Sequence, residues 1–251
     1  MKSNLAGRVA VVTGASRGLG KAMALALAGE GVRVALLSRN EDHLDRVAGE
    51  IAAAGGDAAV FVADVTREEQ VKKTAAKILA RFGAVHILIN NAGLNVRQPV
   101  TELTLDEWRA VLDTNLTSAY LMCHSFVPSM KGQGYGRVLN IASIMAWVSL
   151  PGRTAYSASK SALLGFTRSL AQEVAADRIT VNTISPGLFD TELARPIIEN
   201  PELMSQFLSN IPMGRVGRPE EIGQLAVYLC SEAAGYITGA DFLIDGGWTA
   251  R

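Results

Sequence analysis

Val9-Ala-Val-Val-Thr-Gly-Ala-Ser-Arg-Gly-Leu-Gly20 decides the fold. Its first five residues are apolar or β-branched with no alternation, the pattern of a strand buried on both faces. Gly14, Gly18 and Gly20 follow, and then an Ala/Leu-rich helical pattern. Glycines permit a tight turn and close backbone approach. The free N–H groups and dipole of the next helix can receive a pyrophosphate. The spacing is GxxxGxG rather than GxGxxG. Glycines after a strand are often only a turn, and it is the strand-turn-helix context that favours a phosphate site.

Outward from this stretch, the same alternation recurs. Val9 to Thr13, Val32 to Leu37, Ala59 to Val62, Val85 to Asn90, Val138 to Ala142, Ile179 to Ile184 and the short Phe242 to Ile244 read as strands. Between them, Ala22 to Ala28, Leu44 to Ala53, Val71 to Phe82, Trp108 to Met130 and Ala158 to Ala175 carry apolar residues at helical spacing. Such alternation predicts an α/β fold of the Rossmann type, a doubly wound, seven-stranded parallel sheet with helices on both faces. No repeat or linker divides the chain, so residues 1–251 read as one domain. Residues 188–217, with Pro196, Pro201 and Pro212, break the rhythm after the sixth strand. An insertion there is placed to cover the crevice at the carboxyl ends of the strands as a lid.

The end of the second strand selects the dinucleotide. An acidic side chain there would bond the ribose hydroxyls of NAD, but the strand ends Leu36-Leu37-Ser38-Arg39. Arg39 can offer a fork of donors to a 2'-phosphate, and Arg17 in the glycine turn approaches the same corner. The expected cofactor is therefore NADP(H), with NAD(H) usable. Two solvated surface arginines are the plainer reading of the same residues.

Tyr156-Ser-Ala-Ser-Lys160 opens a long helical pattern, and a spacing of four puts Tyr156 and Lys160 on one face. A phenol titrates near pH ~10, so a tyrosine exchanging protons near neutrality needs a neighbouring positive charge. Lys160 can supply it, and Ser143, at the end of the fifth strand, can donate to a reacting oxygen. A Tyr and a Lys so spaced are, taken alone, usually surface residues.

Their company changes that reading. The chain resembles the classical short-chain dehydrogenase/reductase family through Thr13-Gly-Ala-Ser-Arg-Gly-Leu-Gly20, Asn90-Asn-Ala-Gly93, Asn115, Ser143, Tyr156-Ser-Ala-Ser-Lys160 and Pro186-Gly187, in family order over almost its whole length. The resemblance implies that Asn115, Ser143, Tyr156 and Lys160 are catalytic, with a water on the Asn115 backbone linking Lys160 to solvent. It implies a cofactor held by Gly14, Ser16, Arg17, Gly18, Leu19, Gly20, Ser38 and Arg39. Asp64 and Val65 would meet the adenine, and Asn91, Ala92 and Gly93 the adenosine side. Lys160 and Tyr156 would meet the nicotinamide ribose, and Pro186, Gly187, Phe189 and Thr191 the nicotinamide end. It further implies a homotetramer, built through the helices around Trp108 to Met130 and Ala158 to Ala175 and through Asp245-Gly-Gly-Trp248.

Lys plus Arg equal Asp plus Glu at 24 each, so no basic field points to a nucleic acid. No apolar run reaches membrane-spanning length, the first residues lack the features of a secretion signal, and no metal site is expected. Cys123 and Cys230 sit in apolar helical patterns without a CxxC or a His partner, which fits buried thiols in the cytoplasm.

Two substrate classes compete: a sugar acid of the gluconate 5-dehydrogenase type or another small hydroxy/keto compound, and a 3-oxoacyl thioester on acyl carrier protein. An acidic carrier needs a basic landing patch. Lys131-Gly-Gln-Gly134 and Gln172 to Arg178, where such reductases tend to place it, hold few positive charges. Arg97, four residues after Gly93, can reach over the site to hold a carboxylate, and a plain surface arginine is at least as good a reading of it. Against this, Phe189, Leu193, Ile197, Met204 and Phe207 give the lid an apolar face that admits bulkier substrates. The balance leans to the small hydroxy/keto compound. A different class, a non-catalytic NADP-binding regulator or scaffold on the same fold, leaves the tyrosine, lysine, serine and asparagine set without a chemical reason.

Overall fold

The structure, a computed structural model, describes residues 3–192 and 194–250. Buried β-branched runs become strands β1 (Val9–Thr13), β2 (Arg33–Ser38), β3 (Ala58–Val62), β4 (Ile87–Asn90), β5 (Gly136–Ile141), β6 (Ile179–Pro186) and β7 (Asp241–Ile244). All seven lie in one sheet in the order β3-β2-β1-β4-β5-β6-β7, every neighbouring pair parallel. The chain winds outward from β1 in one direction and then from β4 in the other. That reversal opens a crevice between β1 and β4 at their carboxyl ends, where ligands of such sheets bind.

Helices α1 (Gly18–Gly29), α2 (Glu41–Ala53), α3 (Glu68–Phe82), α4 (Leu105–Leu112), α5 (Ser118–Met130), α6 (Thr154–Val174), α7 (Arg195–Ile198), α8 (Pro201–Leu208) and α9 (Pro219–Cys230) supply the rest. Strand residues alternate between two cores. Ala10, Val12, Leu36 and Ile89 pack with Leu27 of α1, Leu44 of α2 and Ile222 of α9. Val9, Val11, Leu37 and Leu88 pack with Ile78 of α3, Phe126 of α5 and Val174 of α6. Apolar burial on both faces is why each central strand reads as an unbroken apolar run.

Two helical features depart from the sequence reading. Trp108 to Met130 is helical throughout but not a uniform α-helix: a wider π turn, Asp113–Thr117, lies between α4 and α5. Its Asn115 is fastened to the backbone of Leu94, outside the helix, and the Ser118 hydroxyl donates to the Thr114 carbonyl at 2.6 Å. These bonds favour an inserted residue that the apolar periodicity does not reveal. Helix α9 is also unanticipated; it packs extensively on α1, where Gly223 lets the backbones approach, a Cβ there falling 2.9 Å from Ala26.

Residues 188–217 leave and rejoin the body at one point. The Gly217 N–H donates to the Leu188 carbonyl and the Asp190 N–H to the Gly217 carbonyl, both at 2.9 Å. Between these ends lie α7 and α8, whose Phe207 meets Trp248 edge-on at 5.5 Å. Asp245 shapes the turn that carries Trp248, accepting from the N–H groups of Gly247 and Thr249. Trp248 is thereby buried with Ile144 and Ile211 as the floor under α8.

Candidate active site

The glycine turn is held from the side by β4. The Thr13 hydroxyl donates to the Ile89 carbonyl and accepts from the N–H groups of Asn91 and Ala92. Asn91 Nδ2 donates to the carbonyls of Thr13 and Gly14 at 3.0 and 3.2 Å. The Asn91 amide donors thus brace the turn from beneath. A Cβ on Gly14 would lie 2.8 Å from Asn91 Nδ2 and one on Gly20 2.3 Å from the Gly14 oxygen, so both positions exclude side chains, while φ of +63° and +55° at Gly14 and Gly18 favours glycine in the turn. Helix α1 begins with no side-chain cap and no acidic residue in its first turn, which leaves its N–H groups free for an anion.

One cleft of about 640 Å³ runs along the carboxyl ends of the strands. Gly14, Ser16, Arg17, Gly18 and Leu19 line it at the turn, with Ser38, Arg39, Asp64 and Val65 beyond β2 and β3. Asn91, Ala92, Gly93 and Arg97 follow β4, and Ser143, Tyr156, Lys160, Pro186, Gly187, Phe189 and Thr191 line the same cleft. Gly20 and Asn115, by contrast, are behind the lining rather than in it. Leu193, read from sequence as part of the apolar face of 188–217, lies outside the described residues. Ile197 and Phe207 of that face do reach the cleft.

Arg39 is exposed and Ser38 hydrogen-bonds Asn40 beside it. Burial alone would raise the Asp64 carboxyl, but bonds from the Thr66 N–H and hydroxyl and the Arg39 and Arg67 charges hold it below its ordinary value. Asp64 is therefore an ionised acceptor.

Ser143 follows β5 and Tyr156 stands on the first turn of α6. Lys160, one turn on, is 4% exposed, and its Nζ lies 5.6 Å from the Tyr156 ring centre while donating to the Ile141 carbonyl at 2.7 Å. Burial pushes Lys160 down to about 8. Burial raises Tyr156, against a hydrogen bond from Ser143 and the charges of Arg153 and Arg97. Asn115 acts through its side chain: Oδ1 accepts the Leu94 N–H at 2.7 Å, and Nδ2 donates to the Leu94 carbonyl and to Ser159 Oγ, both at 2.9 Å. Ser159 in turn donates to the Tyr156 carbonyl. The π turn, the post-β4 loop and the tyrosine's own backbone are so joined.

Arg153 is the residue the sequence reading passed over. It is half-buried on the cleft wall three residues before Tyr156, and its only signal was its place ahead of the tyrosine. Among the described residues no group of three or more His, Cys, Asp or Glu side chains could hold a metal ion, and no helix is long and apolar enough to cross a membrane.

A family model described as enoyl-(acyl carrier protein) reductase matches residues 14–249. The 3-oxoacyl-[acyl-carrier-protein] reductase of Chlamydia muridarum is 36% identical over 248 residues, 98% of this chain and 99% of that one. The acetoacetyl-CoA reductase of Shinella zoogloeoides is 40% identical over 240 residues, covering 96% and 98%. Among solved structures, a candidate gluconate dehydrogenase from Agrobacterium tumefaciens superposes with a TM-score of 0.97 at 35% identity, covering 100% and 99%. A candidate NAD(P)-dependent gluconate 5-dehydrogenase from Beutenbergia cavernae, with NADP bound at low occupancy, gives 0.95 at 39%, covering all of both chains.

Proposed function

The chain belongs to the short-chain dehydrogenase/reductase family, and from that premise we propose an NADP(H)-preferring enzyme that interconverts a ketone and a secondary alcohol, with Tyr156 moving the proton. The observation that carries this reading is the convergence of Ser143, Tyr156 and Lys160 on one cleft, with Lys160 buried beneath the phenol. A dinucleotide fits the residues present. The uncapped α1 terminus and its glycines suit the pyrophosphate, and Gly93 leaves space where a Cβ would sit 3.7 Å from Lys160 Nζ. Arg39 and Arg17 would take a 2'-phosphate; NAD(H) would bind without that contact.

The bound nicotinamide supplies or accepts the hydride. The remaining work falls to the chain. Ser143 donates to the substrate oxygen and holds it beside Tyr156. Tyr156 gives that oxygen a proton in reduction and takes it back in oxidation. The Lys160 charge favours the phenolate that is left, and a water on the Asn115 backbone would connect Lys160 to solvent. Residues 188–217 act as the lid, with residues 1–251 as one domain. Assembly as a homotetramer through α4 to α6 and the Asp245 turn is proposed on the same footing, as is a cytoplasmic location, which the buried, unpaired Cys123 and Cys230 fit.

For the substrate we favour a sugar acid or similar small hydroxy/keto compound. Lys131, at the expected carrier-docking edge, is already paired with Asp177 at 3.4 Å, which thins the basic patch further. The carrier-linked and CoA thioester reductases among the relatives favour the second reading, a 3-oxoacyl thioester. Cofactor absorbance with NADPH and NADH against 5-ketogluconate and acetoacetyl thioesters, and with NADP+ and NAD+ against gluconate, separates the two. Tyr156→Phe should abolish turnover while keeping cofactor affinity; undiminished rates in that variant would remove the catalytic assignment, and a wild type that turns over no ketone while binding cofactor would return the regulator reading.

A further inference from the structure

Arg97 and Arg153 come from different connections, the first after β4 and the second just before α6, yet the backbone fixes them as neighbours. The N–H of Gln98 donates to the carbonyl of Gly152 at 3.2 Å, so one hydrogen bond joins the residue after Arg97 to the residue before Arg153. Gly152 holds φ +73°, and a Cβ there would meet the Gln98 backbone at 3.5 Å, so the junction is built around a glycine. Both arginines line the cleft that holds Tyr156 and Ser143.

Neither guanidinium forms an ion pair among the described residues. The cleft's own carboxylates are engaged elsewhere: Glu192 pairs with Arg17, and Asp64 lies at the far end, bonded to Thr66. A half-buried cation without a counter-ion, set beside a second cation, costs stability unless an anion enters between them. Arg153 reports that cost, since burial and the Arg97 charge hold it below the ordinary arginine value.

We propose that Arg153 and Arg97 form a two-armed clamp for a carboxylate, and that the substrate is a keto acid or hydroxy acid whose carboxylate sits between them while its carbonyl or carbinol oxygen lies at Tyr156. This rests on the ketone/alcohol reading above and narrows it to anionic substrates. Arg97 alone is an exposed arginine able to reach many places; Arg153, half-buried on the same wall, gives the clamp a fixed arm. Two planar forks converging on one group also orient it, as a single arginine does not.

The test compares three keto acids, 5-ketogluconate, acetoacetate and levulinate, each beside its uncharged primary amide, with NADPH. The wild type should favour at least one acid over its amide in kcat/KM by about 10- to 100-fold, the range of a charge-assisted contact. In Arg153→Gln that preference should collapse, chiefly through KM, and Arg153→Lys should restore part of it. NADPH affinity and melting temperature of each variant report whether the fold and cofactor site persist. Malonate inhibition of the wild type gives a reading without any variant: it should be competitive with the keto substrate, and malonamide much weaker. Equal use of acid and amide, or an acid preference that survives Arg153→Gln, overturns the clamp while leaving Tyr156-dependent ketone reduction intact. Turnover confined to thioesters or neutral ketones overturns it too, and loss of that turnover in Tyr156→Phe then shows that the reaction class still stands.

Discussion

Arg17 Nη1, at the start of α1, meets Glu192 Oε2 at 3.4 Å, so the glycine turn is joined to the segment that follows β6. Both side chains line the same cleft and both are more than half exposed. The contact spans the mouth through which a dinucleotide phosphate would approach Arg17.

If Arg17 meets the cofactor phosphate as proposed, Glu192 should compete with it for that arginine. Glu192→Gln should tighten NADPH binding by about threefold and NADH binding by less, because exposed pairs are worth about 1 kcal/mol or less. Fluorescence titration of both cofactors at low and moderate salt measures this. Identical shifts for the two would mean that Arg17 does not distinguish the phosphorylated dinucleotide.

The sharper discrimination is expected of Arg39. It stands where an acidic residue would select NAD, and its nearby charge helps to keep Asp64 ionised. Arg39→Ala should weaken NADPH binding by about 10- to 100-fold and NADH binding by no more than about threefold. The ratio of the two dissociation constants is the observable, and a ratio that does not move would reassign the phosphate to another group.

The sheet was legible because each central strand is buried on both faces. Val9 to Thr13 and Ile179 to Ile184 are apolar or β-branched almost throughout, and the observed strands begin and end within two residues of the reading. The π turn was not legible: its cause is a set of bonds from Asn115 to Leu94 and Ser159, 21 and 44 residues away. Arg153 escaped for a related reason. Its meaning depends on the Gln98–Gly152 hydrogen bond, which crosses between two loops and leaves no periodic trace. Single motifs pointed to the candidate catalytic residues; contacts between distant loops had to be seen.

Asn115 should matter through position rather than contact. Asn115→Ala removes three side-chain hydrogen bonds, to Leu94 N–H, the Leu94 carbonyl and Ser159, and should cost about 2–3 kcal/mol in urea unfolding. Because Ser159 bonds the Tyr156 carbonyl, kcat should fall more than KM rises. A full stability loss with unchanged kcat would confine Asn115 to the fold.

Lys160 should trade stability for chemistry. Burial lowers its pKa from 10.5 in the unfolded chain to about 8 in the fold. Below pH 8 both states are protonated and the fold bears the whole cost of a buried charge. Between pH 8 and 10.5 the unfolded chain binds more protons, so this cost fades as pH rises. Lys160→Met should therefore be the more stable protein at pH 7, by on the order of 3 kcal/mol less about 1 for the lost Ile141 bond. Its advantage should shrink across pH 8 to 10.5, while its ketone reduction is lost throughout. Urea unfolding of both proteins at pH 7, 8, 9 and 10 tests the sign directly. An advantage that grew with pH would mean that Lys160 is stabilised in its charged form, and the phenol would then face a fully cationic lysine well into the alkaline range.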